Sequence, residues 1–117
     1  MVKSAMSHAM SMNSRDKGKR GELELAKVLR EYGFDSHRGQ QFRGGQDSPD
    51  VTGIPRFHIE CKRVEKLNIY EALEQSERDA GEDIPIVIHR KNKKKWLVTM
   101  SLDTFVKEIQ DDRKRDS

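Results

Sequence analysis

Apolar residues recur along this chain in two rhythms, one helical and one of period two. Glu22, Leu25, Ala26 and Leu29 fall at i, i+3, i+4 and i+7, one face of a helix predicted from Glu22 to Tyr32. Gly33 stands where a C′ glycine ends such a helix. Phe34–Arg38 reads as a short strand. From Arg56 to Arg63 the rhythm changes: Phe57, Ile59 and Cys61 alternate with His58, Glu60 and Lys62, so a β-strand is expected. Asp50-Val51-Thr52 precedes it, and Gly53 and Pro55 mark a turn, so the two segments are expected to form a hairpin. A second helix is predicted from Asn68 to Ala80, with Ile69, Ala72, Leu73 and Ser76 facing inward and Gly81 as its stop. Pro85–His89 is a short apolar run that reads as a buried strand. Lys91–Lys95 forms a basic turn, and Trp96–Thr99 is the returning strand. Ser101 is a good N-cap for a last amphipathic helix carrying Leu102, Phe105, Val106 and Ile109. The expected class is α/β, in the order α-β-β-β-α-β-β-α.

The remaining stretches bound this pattern. Residues 1–16 show no usable periodicity and are expected to be a disordered tail. Residues 111–117 are charged and expected to fray. Between them, residues 17–110 form one domain, with no repeat and no linker. With 117 residues, 33% hydrophobic and 37% charged, the core must be small. The net charge of +3 says less than its distribution. Arg90–Lys95 carries five positive charges in six residues, and Lys17–Arg20 carries three in four. Clusters of this kind suit a phosphate backbone. The single Cys61 excludes an internal disulfide and fits a reducing, cytoplasmic compartment. No apolar run approaches membrane-spanning length, so no membrane partner is expected.

The chemistry centres on Ser48-Pro49-Asp50-Val51 and Glu60-Cys61-Lys62. Pro49 fixes its own φ and holds Ser48 extended, which presents Asp50 at the mouth of a strand. Glu60 and Lys62 share one face of the next strand, about 7 Å apart. Two carboxylates on adjacent strands with a lysine beside the second make a hard-metal site; alternatively, Glu60 and Lys62 form a weak pair on a solvated face. Glu22 lies on the apolar face of its helix, where a carboxylate either needs a partner or marks a helix start favoured by the macrodipole. Gln75 flanks the inward face of the second helix, as an accessory amide or a polar edge. Gly39–Asp47 is a long polar loop; with Arg38, Gln40, Gln41 and Arg43 it could grip phosphates or simply connect.

Together, Gly21-Glu22 at the head of the first helix, Ser48-Pro49-Asp50-Val51, Glu60-Cys61-Lys62 and a following helix with Gln75 resemble the PD-(D/E)XK nuclease superfamily. Within it, Lys17-Gly18-Lys19-Arg20-Gly21-Glu22, the Gly33-Phe34 helix exit and the Gly-rich loop before Pro49-Asp50 resemble the Holliday-junction resolvase-like branch of archaea and phages, over residues 17–100. The resemblance implies a restriction-endonuclease-like mixed β-sheet flanked by helices and a metal-dependent endodeoxyribonuclease acting on branched DNA. It implies Mg²⁺, with Mn²⁺ as a substitute, held by Asp50, Glu60 and the backbone carbonyl of Cys61, with Glu22 completing the site directly or through water. Lys62 would orient or deprotonate the attacking water, and Gln75 would be accessory. Lys17, Lys19, Arg20, Arg38, Gln41, Arg43, Lys91, Lys93, Lys94 and Lys95 would contact DNA. A homodimer in a bacterial, archaeal or phage-infected cell is implied by the two matched cuts a resolvase must make. The alternatives are a non-catalytic DNA-binding module on the same fold and a repair- or restriction-type nuclease acting on another DNA structure.

Overall fold

The computed structural model describes residues 14–39 and 48–116. In chain order its elements are α1 (Ser14–Glu31), β1 (Phe57–Arg63), α2 (Ile69–Asp79), β2 (Ile84–Arg90), β3 (Leu97–Thr99) and α3 (Leu102–Asp116). Strands β1 and β2 run parallel, joined by α2, and β3 pairs antiparallel to β2. The result is a mixed sheet in the order β1-β2-β3 with α1 and α2 packed on it.

The parallel register sets Ile59 opposite Ile86 and Cys61 opposite Ile88. These side chains share one face of the sheet and join Leu25, Ala26 and Leu29 of α1 in the main core. The other face carries His58, Glu60 and Val87, and α2 covers it with Ala72 and Ser76. The Ser76 hydroxyl lies 3.2 Å from the His58 carbonyl and 3.1 Å from that of Ile86, which ties α2 to both strands. A parallel pair with a crossover helix is buried on both faces. That is why the polar face of β1 expected from the alternation is not solvated: His58 is 3% exposed and Glu60 4%.

Helix α1 ends as the sequence predicts. Gly33 takes φ +101°, its N–H donates to the Arg30 carbonyl, and the Phe34 N–H donates to that of Leu29, which together make a Schellman motif. Its start differs. The helix begins at Ser14 and absorbs the basic segment Lys17–Gly21, which reads as a lead-in from sequence. A lone glycine inside a helix costs only about 1 kcal/mol, and α1 packs against β1. At Gly21 that packing is close: a Cβ there would sit 2.6 Å from the Cβ of Arg63. Glu24 on the next turn spans Arg63 at 3.5 Å and Arg90 at 3.1 Å, pinning α1 to the ends of β1 and β2.

The expected strands Phe34–Arg38 and Asp50–Thr52 shrink to single bridges, Arg38 to Val51 and Val51 to Ile59. Both bridges are antiparallel, so the sense of the expected hairpin with β1 is kept. Phe34, Asp35 and His37 are exposed, so the segment buries too little side chain to extend the ladder. Gly53 adopts φ +110°, and a Cβ there would lie 2.6 Å from Ser36 Cα, so only glycine lets the two segments cross.

Helix α2 matches its sequence signals, with Asn68 Oδ1 accepting from the Glu71 N–H at 3.1 Å as N-cap. Helix α3 is capped by Ser101, whose Oγ accepts from the Thr104 N–H at 3.1 Å. It runs to Asp116, across the stretch expected to fray, where acids and bases spaced three and four apart favour helix. Its apolar stripe covers little: Leu102 is 73% exposed and Phe105 49%. No helix among the described residues is long and apolar enough to cross a membrane.

Candidate active site

Five side chains singled out from sequence, Glu22, Asp50, Glu60, Lys62 and Gln75, line one cavity of about 320 Å³ together with Cys61 and Lys17. They come from four segments. Strand β1 is the edge of the three-stranded sheet, so the cavity opens where the two helical layers meet along that edge. Gly21 lets α1 descend onto β1, which carries Glu22 down to the cavity.

Asp50 is fixed twice by β1. Its backbone N–H donates to the Ile59 carbonyl at 2.9 Å, and its carboxylate Oδ2 accepts from the Cys61 N–H at 2.9 Å. In an extended strand the N–H and C=O of one residue share an edge. The Cys61 carbonyl therefore faces the same edge as Asp50, while the Cys61 thiol is turned into the core, where burial pushes its pKa up.

Glu60 is buried and in hydrogen-bond contact with Asp50. Its burial first, and the Asp50 carboxyl second, push the Glu60 pKa up to about 9, with Lys62 pulling the other way. Glu22 is also raised, by burial and then by Asp50, and is relieved by Arg38 and Lys62. The guanidinium Nε of Arg38 donates to Glu22 Oε1 at 2.7 Å. Arg38, read from sequence as a phosphate contact, is thus also the partner that a carboxylate on the apolar face of α1 requires. No spacing signal links two residues whose meeting depends on the bridge at Val51.

Three acids and one lysine around a cavity store mutual repulsion that a cation relieves. Among the described residues no group of three His, Cys, Asp or Glu side chains converges on one point. The donor set that does converge is two carboxylates, Asp50 and Glu60, with the Cys61 carbonyl beside them. These are hard oxygen donors, few in number, and Mg²⁺ keeps several waters, so the set fits such an ion. Glu22, engaged by Arg38, stands one step back.

The basic residues divide. Lys17 lines the cavity, and Lys19 and Arg20 are exposed on the same helix. Lys91, Lys93, Lys94 and Lys95 line a second cavity of about 680 Å³ beyond the ends of β1 and β2. Gln41 and Arg43, with the rest of residues 40–47, lie outside the described residues. Arg63 and Val64 also line this cavity, and no sequence motif marks them; Arg63 ends β1 and Val64 follows it.

Residues 13–116 match the family model described as phage putative PDDEXK endonuclease. No curated protein and no solved structure matches the chain. The matched span includes every helix and strand described above and all the residues around the cavity. The chain belongs to this phage PDDEXK endonuclease family.

Proposed function

We propose that the protein is a divalent-metal-dependent endodeoxyribonuclease that works with Mg²⁺, or with Mn²⁺ in its place. The observation that carries this reading is the shared cavity of Glu22, Asp50, Glu60, Lys62 and Gln75. When bound by Asp50, Glu60 and the Cys61 carbonyl, the metal supplies a hydroxide source near neutral pH and offsets charge on the scissile phosphate. The chain does the rest. The Cys61 N–H and the Ile59 carbonyl hold Asp50 in place at the wall of the cavity. The Lys62 ammonium orients the attacking water and favours the ionised form of the acids. Glu22, held by Arg38, accepts a hydrogen bond from a water in the cavity, and the Gln75 amide steadies water or phosphate at the far wall. A module that only bound DNA would gain nothing from three acids beside a phosphate, which they repel.

Branched DNA is the proposed substrate, by resemblance to the resolvase-like branch. Two matched cuts need two sites, and a homodimer supplies them. Support comes from α3, whose stripe of Leu102, Phe105, Val106 and Ile109 stays largely exposed instead of covering the sheet. Cleavage of labelled four-way junction, flap, single strand and duplex, with Mg²⁺ and with EDTA, tests the reading, beside light scattering of the protein. The expected result is Mg²⁺-dependent incision, symmetric on the junction, by a dimer. A monomer that cuts junction and duplex equally would leave only the general nuclease, and no cutting with any divalent ion would remove the nuclease reading.

A further inference from the structure

The larger cavity near the basic turn differs in kind from an ordinary phosphate-binding surface. Its lining joins the apolar side chains of Val64, Leu67 and Leu97 to Lys91, Lys93, Lys94 and Lys95, with one acid, Glu65, which accepts from the Asn92 N–H. A flat backbone-binding patch needs only the cations. Apolar and cationic side chains around one cavity suit a ligand with charge on its spine and apolar faces on its side groups.

This cavity also adjoins the catalytic one. A small cavity lined by Lys62, Val64, Lys66, Leu67, Glu71 and Gln75 shares residues with both. Lys62, Val64 and Gln75 belong to it and to the catalytic cavity, while Val64 and Leu67 belong to it and to the basic one. The three form one track that runs from Asp50 and Glu60, past the N-terminus of α2, to the β2–β3 turn. His89 and Leu97 are paired across β2 and β3, so they close the far end from one face of the sheet. Arg90 is already committed to Glu24 at 3.1 Å and lies over the Trp96 ring at 5.7 Å, so the lysines are the cations that serve the cavity.

We infer that this track holds an unpaired DNA strand leading away from the cut site, with bases on Val64, Leu67 and Leu97 and phosphates on the lysines of the basic turn. This deepens the proposed nuclease reading and rests on it for the position of the cut. In a duplex the bases are stacked inward and cannot reach an apolar lining. At a fork or a flap a strand leaves the duplex and can. The track therefore makes the presence of an unpaired strand, rather than sequence, the feature that selects the substrate.

Fluorescence polarisation in EDTA tests this with the full-length chain and three probes: an oligothymidylate, a strand of the same length carrying abasic sites, and a duplex with equal phosphates. Leu97 is 56% exposed and lies away from the acids, so Leu97→Ser should fold, and unchanged duplex affinity would serve as the control. The wild type should prefer the oligothymidylate to the abasic strand by roughly fivefold or more, and the serine variant should lose that preference. Lys93→Ala with Lys94→Ala should weaken all three probes and lower the salt slope on single strands by roughly 0.7 for each phosphate that is no longer neutralised. Equal binding of thymidylate and abasic strands by the wild type, or a preference that survives in the serine variant, would overturn the inference. Cleavage with Mg²⁺ is read separately. Cutting without base-dependent binding would reject the track and keep the nuclease, and base-dependent binding without cutting would do the reverse.

Discussion

Glu60 occupies an uncomfortable position for a carboxylate. It is enclosed between β1 and α2 and touches a second acid, and both effects favour its protonated form. The folded pKa lies near 9 against an ordinary value of 4.5. The folded state therefore holds this proton more tightly than the unfolded chain does. Stability from this group is fully present below about pH 4.5 and is lost as pH rises toward 9. A glutamine has no proton to lose and can still donate to Asp50. Without metal, Glu60→Gln should melt with the wild type near pH 4 and above it at pH 8, by thermal denaturation in EDTA. A variant–wild-type difference that does not change with pH would refute this. Lys62 stands on the same face of β1, and its charge draws the pKa of Glu60 and of Glu22 downward against the larger effect of burial. Its work is expected in the chemical step, so Lys62→Ala should reduce the single-turnover rate by far more than it weakens DNA binding. An affinity loss with an unchanged rate would make Lys62 a phosphate contact only. Glu60 and Lys62 were legible in the sequence because strand alternation puts them on one face, and Asp50 because Pro49 and the turn after it set it beside that strand. The Glu22–Arg38 pair was half legible: the apolar face of α1 called for a partner, but the partner arrives by tertiary contact.

Helix α1 shows how an element can place a side chain through a residue that has none. Gly21 sits against Arg63 Cβ, and Glu22 follows it into the cavity. An alanine at position 21 gains about 1 kcal/mol of helix propensity but meets an overpacking penalty of about 1–3 kcal/mol. Gly21→Ala should thus lower stability slightly and cut activity at least tenfold by lifting Glu22 away. Gly18, with open space around it, is the control, and Gly18→Ala should stabilise by about 1 kcal/mol. Thermal melts with cleavage assays on both variants would check this; a fully active Gly21→Ala would show that the close approach does not matter. The element pattern explains what the sequence could not reveal. Period and caps located β1, α2, β2 and α3 to within about two residues at their starts. Glycines misplaced the start of α1, because local propensity cannot anticipate packing on a sheet. The segments around Arg38 and Val51 carry strand-like sequence but bury too little to extend a ladder.

At the scale of the molecule, a small core supports a site at the edge of its sheet. Twelve apolar residues are buried among the described residues, and the acids sit beside them rather than on an outer surface. The α/β class and the meeting of Asp50, Glu60 and Lys62 around one cavity follow from alternation and spacing, whereas the covering of both sheet faces, which buries Glu60, depends on the parallel crossover and was not written in any one segment. The exposed stripe of α3 and the track toward the basic turn are likewise properties of the assembled fold. The proposed function makes Asp50 and its neighbours a hydrolytic centre. The most direct measurement is single-turnover cleavage of labelled DNA by Asp50→Ala in Mg²⁺, with binding measured in parallel. Removing one acid from a crowded set should leave the fold intact and DNA affinity unchanged or tighter, while cleavage falls to background. An Asp50→Ala protein that cuts DNA at the wild-type rate would contradict the account.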